Sequence, residues 1–125
     1  MVDAKAVITV WESALDATWL GPAVWLHGDV AASNLLVKEG RLSTVIDFGQ
    51  LAAGDPACDV TIVRTFFSGA SREEFRSCLT VDYATWSRGR GWGLWKALLE
   101  LREYRRTKLV ESADACLVIN DILSD

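Results

Sequence analysis

The sequence predicts an α+β domain, mostly α, in which a helical body carries a small β ribbon. Three observations predict it. Apolar residues recur at three- and four-residue steps over most of the chain. Three short apolar runs, with a turn signal between the last two, fall together between residues 23 and 46. The length of 125 residues is enough for one hydrophobic core and too little for two, so a single domain is expected.

From Ala4 to Leu20 the positions Val7, Ile8, Trp11, Leu15 and Trp19 form one helical stripe, and Gly21-Pro22 ends it. Ala23 to His27, Asn34 to Val37 and Leu42 to Ile46 read as strands, with Glu39-Gly40 turning the chain between the second and third. Asp55-Pro56 opens a helix to about Phe67, proline being tolerated in a first turn. Ser71-Arg-Glu-Glu74 has capping-box spacing ahead of Phe75 and Leu79. Asp82 caps a longer helix through Trp86, Trp92, Trp95, Leu98 and Leu101 to about Thr107, and Ser112 caps a last one ending at Leu123. Gly89, Gly91 and Gly93 are a weak point in the longer helix and predict a bend or a close helix contact. Trp86, Trp92 and Trp95 read as packing residues, in the core or against another lobe, with stacking on a substrate the alternative.

Composition narrows the function. Half the residues are hydrophobic and only two are proline, which excludes a disordered or low-complexity chain. Seventeen acids against thirteen Lys and Arg give a net charge of −4, which argues against a nucleic-acid binder and suits a cationic ligand. Cys58, Cys78 and Cys116 are odd in number and widely spaced, so reduced thiols are expected. The apolar run from Ala6 stops at Glu12, too short for a signal-peptide core or a membrane span, and a cytoplasmic location is the expectation.

The residues with chemistry lie outside the helical stripes. His27-Gly28-Asp29, Asn34, Ile46-Asp47-Phe48-Gly49, Gly54-Asp55-Pro56 and Asp59 follow one another within 33 residues. Phosphoryl transfer needs a carboxylate to take the attacking hydroxyl's proton and hard oxygen ligands for magnesium, and Asp29, Asn34 and Asp47 could supply them. Neighbouring strand ends would bring the three together. The sole histidine has no GxSxG elbow to serve, so a serine hydrolase is excluded.

These residues resemble the aminoglycoside phosphotransferase family, small-molecule kinases related in fold to protein kinases. The family's HGDxxxxN, IDFG and GDPxxD segments all stand here in order, between Trp25 and Asp59. HGDxxxxN alone fixes four positions, and at roughly 5% usage each a chance match is about a one-in-a-thousand event for such a chain. The resemblance implies a kinase-like C-terminal lobe. In it Asp29 is the catalytic base, Asn34 and Asp47 are ligands of Mg2+, and Leu36 and Ile46 lie under the adenine of ATP. His27 and Asp59 would brace the catalytic loop. Protein kinases carry Arg where Gly28 stands and have a long activation segment. Here only Gln50 to Ala53 separate Gly49 from Gly54, so the expected acceptor is a hydroxyl of a small molecule, aminoglycosides included. Asp55, Asp82, Glu100 and Glu103 are candidates to receive its amines.

No glycine-rich phosphate loop or strand lysine occurs in the 125 residues. The chain is therefore expected to be a C-terminal lobe that lacks its N-terminal nucleotide lobe, inactive alone and self-associating through the uncovered face. The alternative expectation is a non-catalytic binding or assembly module that keeps the scaffold.

Overall fold

The computed structural model describes residues 2–125. Five helices and four short strands follow in the order α1 (Ala4–Asp16), β1 (Val24–Leu26), β2 (Leu35–Lys38), β3 (Arg41–Val45), β4 (Ala52–Gly54), α2 (Ile62–Thr65), α3 (Gly69–Cys78), α4 (Tyr83–Tyr104) and α5 (Leu109–Leu123). The domain is α+β and mostly helical, as the sequence predicts.

The body is α4 with α1 and α5 laid against it. Its core is Val10, Leu94, Ala97, Ile119 and Ile122, contributed by these three helices. Asp82 caps α4 as its sequence position suggests, accepting from Thr85 N at 2.7 Å and Thr85 Oγ1 at 2.6 Å; these bonds hold its carboxyl below the usual range. Three glycines let α4 touch other elements at close range. A Cβ on Gly89 would stand 2.6 Å from Val60 Cγ2, one on Gly91 2.4 Å from Ala14 Cβ, and one on Gly93 3.3 Å from Ile122 Cδ1. The cluster is thus a packing device, and the helix runs unbroken from Tyr83 to Tyr104.

The β structure differs from the expected single ribbon of three strands. It is two separate antiparallel ribbons, β1 with β4 and β2 with β3. Strand β4 is Ala52-Ala53-Gly54, whose residues have low strand propensity; pairing with β1 in the register Trp25↔Ala53 defines it. The β2–β3 turn has Glu39 at φ 53° and Gly40 at φ 74°, the left-handed pair that a two-residue hairpin uses. A bulge follows, because Leu36 faces Thr44 while Val37 faces Leu42.

Helix ends also depart from expectation, for tertiary reasons. Helix α1 stops at Asp16 instead of Leu20 because Arg88 draws the Ala17 carbonyl into a 3.1 Å hydrogen bond, and Trp19 then lies over that guanidinium. The expected helix from Asp55 to Phe67 is a 3-10 run over Pro56–Thr61 followed by the four-residue α2. Helix α3 is capped three residues before the expected Ser71: Ser71 Oγ bonds back to Ser68, which is the capping residue. Helix α5 begins at Leu109 instead of after Ser112, since Thr107 and Lys108 both donate to the Tyr104 carbonyl and reverse the chain at once. Trp92 and Trp95, expected in packing, are each 45% exposed.

Candidate functional site

The site is built where the two ribbons meet the 3-10 run that follows β4. His27, just past β1, is buried and joins the ribbons. Its Nε2 lies 2.8 Å from the Ile46 carbonyl, and its Nδ1 accepts from Asp29 N at 3.1 Å. A carbonyl only accepts, so the ring carries its hydrogen on Nε2. The Phe48 ring packs against the imidazole, centroid to centroid 4.7 Å.

Asp59 holds the same turn from the other side. Its Oδ2 accepts from His27 N at 2.7 Å and its Oδ1 from Gly28 N at 2.9 Å. Between these anchors Gly28 has φ 85°, and a Cβ there would stand 2.3 Å from the Gln50 carbonyl oxygen. Backbone conformation and space both require glycine. The neighbouring Cys58 thiol is pushed up to about 11, by burial first and by Asp59 second.

Asp29 and Asn34 are brought into contact. Asn34 is buried at the end of a 3-10 turn, and its Nδ2 donates to the Asp29 carbonyl at 2.9 Å and to Asp29 Oδ2 at 3.2 Å. With Nδ2 spent on Asp29, Oδ1 is the atom left to meet a cation. The Asn34 carbonyl accepts from Ile46 N at 2.9 Å, extending the β2–β3 ladder by one pair and setting Asp47 one residue past Asn34's partner. Asp47 itself is left-handed at φ 61°, an uncommon conformation for a non-glycine residue. Its carboxylate is exposed and makes no hydrogen bond or ion pair among the described residues. Pairing of β1 with β2 or β3, the expected means of assembly, plays no part; the His27–Ile46 bond takes its place. Leu36 and Ile46 are both exposed, on and beside the β2–β3 ribbon.

One residue was not legible in the sequence. Lys96, on α4, places Nζ 2.9 Å from Asp29 Oδ1. Its hydrogen bond is the largest influence on Asp29, holding that carboxyl below its usual range against the opposing effect of burial. In sequence Lys96 is one more polar position on a helix, 67 residues from Asp29, and no local signal marks it.

A cavity of about 780 Å3 opens beside the pair, and its lining includes Asp29, Trp92, Trp95, Lys96, Glu100 and Glu103. Of the acids expected to receive amines, Glu100 and Glu103 face it and make no ion pair among the described residues. Asp55 also borders it but is bound by Arg88 through both oxygens, at 2.6 and 3.1 Å. Asp82 serves α4 as its cap and is not part of the lining. Among the described residues no three His, Cys, Asp or Glu side chains converge on one point. Asn34 Oδ1 and the Asp47 carboxylate are hard oxygens of the kind that could hold magnesium. No helix among the described residues is long and apolar enough to cross a membrane.

Comparison with known proteins supports the fold. The uncharacterized protein YcbJ of Bacillus subtilis (strain 168) is 28% identical over 74% of this chain, which covers 32% of that protein. A crystal structure of a thermostable mutant of aminoglycoside phosphotransferase APH(4)-Ia, in its apo form, shares the fold at a TM-score of 0.56 and 22% identity. That match covers 98% of this chain and 46% of the other, so the chain spans less than half the length of either relative. The profile of the phosphotransferase enzyme family (APH) matches residues 2–92, nearly three quarters of the sequence and the whole of the site's loops, and the chain belongs to that family.

Proposed function

We propose that these residues form the catalytic-loop lobe of an ATP-dependent phosphotransferase that moves the γ-phosphate of ATP to a hydroxyl of a small molecule. The observation that carries the reading is the linkage of three residues with oxygen-bearing side chains, two through a side-chain bond and the third through the backbone ladder. Asp29 is bonded to Asn34, and Asn34 is laddered to the residue before Asp47. In this role Asp29 accepts the acceptor hydroxyl's proton as its oxygen bonds to the γ-phosphorus. The bond from that phosphorus to the β-bridging oxygen breaks, and ADP leaves with the electron pair. His27 and Asp59 hold the loop, and Leu36 and Ile46 offer apolar surface to the adenine. Asn34 and Asp47 would hold magnesium, which when bound supplies positive charge to the phosphate oxygens.

The acceptor would enter the cavity lined by Trp92, Trp95, Glu100 and Glu103, whose two carboxylates suit an amine-bearing alcohol. The structural relative is called an aminoglycoside phosphotransferase, and aminoglycosides are amine-bearing alcohols, which makes antibiotic modification in the cytoplasm the physiological reading. The strand-rich lobe that covers the phosphates would come from sequence outside these residues.

A phosphate-transfer screen tests the proposal. The full-length protein carrying this segment is incubated with Mg2+ and γ-labelled ATP against aminoglycosides, macrolides and amino alcohols. Transfer to at least one acceptor, abolished by Asp29→Asn, is expected; no transfer to any, with Asp29→Asn indistinguishable from wild type, refutes it. The apolar exposure of Trp25, Val37, Leu42 and Phe48 favours one alternative, a scaffold that binds partners or itself without catalysis. That alternative predicts assembly without transfer.

A further inference from the structure

Asp29 is held at both carboxylate oxygens, and the two holds differ in origin. Asn34 grips Oδ2 from the loop itself, five residues away, whereas Lys96 grips Oδ1 from α4, at the edge of the cavity. We propose that Lys96 is a positioning residue for the reaction, fixing the Asp29 carboxylate from the acceptor side so that its remaining lone pairs face the incoming hydroxyl. The inference rests on the function proposed above.

Stability is a poor explanation of the contact. Both side chains are more than a third exposed, 40% for Lys96 and 37% for Asp29, and ion pairs of that kind contribute little to folding. Geometry is the better one. A half-exposed carboxylate bound at one oxygen remains free to turn about its side-chain torsion; a second bond at the other oxygen removes that freedom. Each carboxylate oxygen accepts two hydrogen bonds, so Oδ1 can hold the ammonium and still take a hydroxyl. Two of the three ammonium hydrogens remain for groups in the cavity, which Lys96 lines together with Asp29. No other Lys or Arg of the described residues is ion-paired to Asp29.

The test is a kinetic comparison in the full-length protein, using Mg-ATP and an acceptor from the screen above. Misplacing a reacting group by about an ångström can cost on the order of 100-fold in rate. Lys96→Met is expected to lower kcat about 10- to 100-fold with the KM for ATP within about twofold and the melting temperature unchanged. Lys96→Arg, which keeps the charge, should retain most of the rate. Transfer that disappears in Asp29→Asn but keeps its wild-type kcat in Lys96→Met overturns the role of Lys96 alone. Loss of kcat together with the fold in both Lys96 variants overturns it as well, by making the contact structural. Absence of transfer in wild type overturns this inference and the proposed function together.

Discussion

At the scale of single residues the loop after β1 is held by few contacts of high value. Asp59 satisfies two backbone N–H groups, of His27 and Gly28, that have no other partner. Leaving such donors unpaired costs roughly 1–3 kcal/mol each when they are shielded from water. Asp59→Ala should therefore lower unfolding stability by about 2–3 kcal/mol, and Asp59→Asn by less, as urea denaturation would measure. Cys58 offers a reagent-based check on the same corner. With its thiol pushed up to about 11, only about one molecule in a thousand carries the thiolate at pH 8. Alkylation at pH 8, followed by mass spectrometry, should modify exposed Cys78 well before Cys58, and the gap should narrow as pH rises toward 11. Because deprotonation is the favoured change only above that value, raising pH is the direction that activates Cys58.

At the scale of elements, what was legible depended on how local the cause is. Asp82 caps α4 within four residues, and the Glu39-Gly40 turn closes within its own hairpin, so both could be read directly. Ends set by distant partners could not. Helix α1 stops where Arg88 takes the Ala17 carbonyl, 71 residues later, and β4 exists because β1 pairs with it. The glycine cluster lay between these cases: its spacing in a helical pattern announced close contact, while the contacted elements became visible only in three dimensions. Gly91→Ala separates the competing effects. Alanine gains up to about 1 kcal/mol of helix propensity over glycine, but the new methyl would sit 2.4 Å from Ala14 Cβ, and overpacking costs about 1–3 kcal/mol. A net loss is expected, read as a lower melting temperature by calorimetry.

At the scale of the molecule the polar site was the legible part and the cavity was not. The HGDxxxxN, IDFG and GDPxxD segments lie within 33 residues and named Asp29, Asn34, Asp47, His27 and Asp59 in advance. Glu100 and Glu103 stood among four candidate acids, but only the fold places them, with Lys96, in one cavity with Asp29. The same fold leaves the ribbons bare, every residue from Leu36 to Ala53 being exposed. An uncovered apolar face of this kind drives association, so the 125-residue chain should sediment as oligomers whose size grows with concentration. A concentration-independent monomer would count against that.

If Asn34 and Asp47 hold one cation beside Asp29, as proposed, paramagnetic broadening by Mn2+, a magnesium substitute, detects it most directly on the isolated chain. In an amide NMR spectrum titrated with millimolar Mn2+, the signals of Asn34 and Asp47 should fade first and together, and Asp47→Asn should restore both. Broadening centred on Glu100 and Glu103 instead, or none selective for Asn34 and Asp47, would contradict a cation site at Asn34 and Asp47.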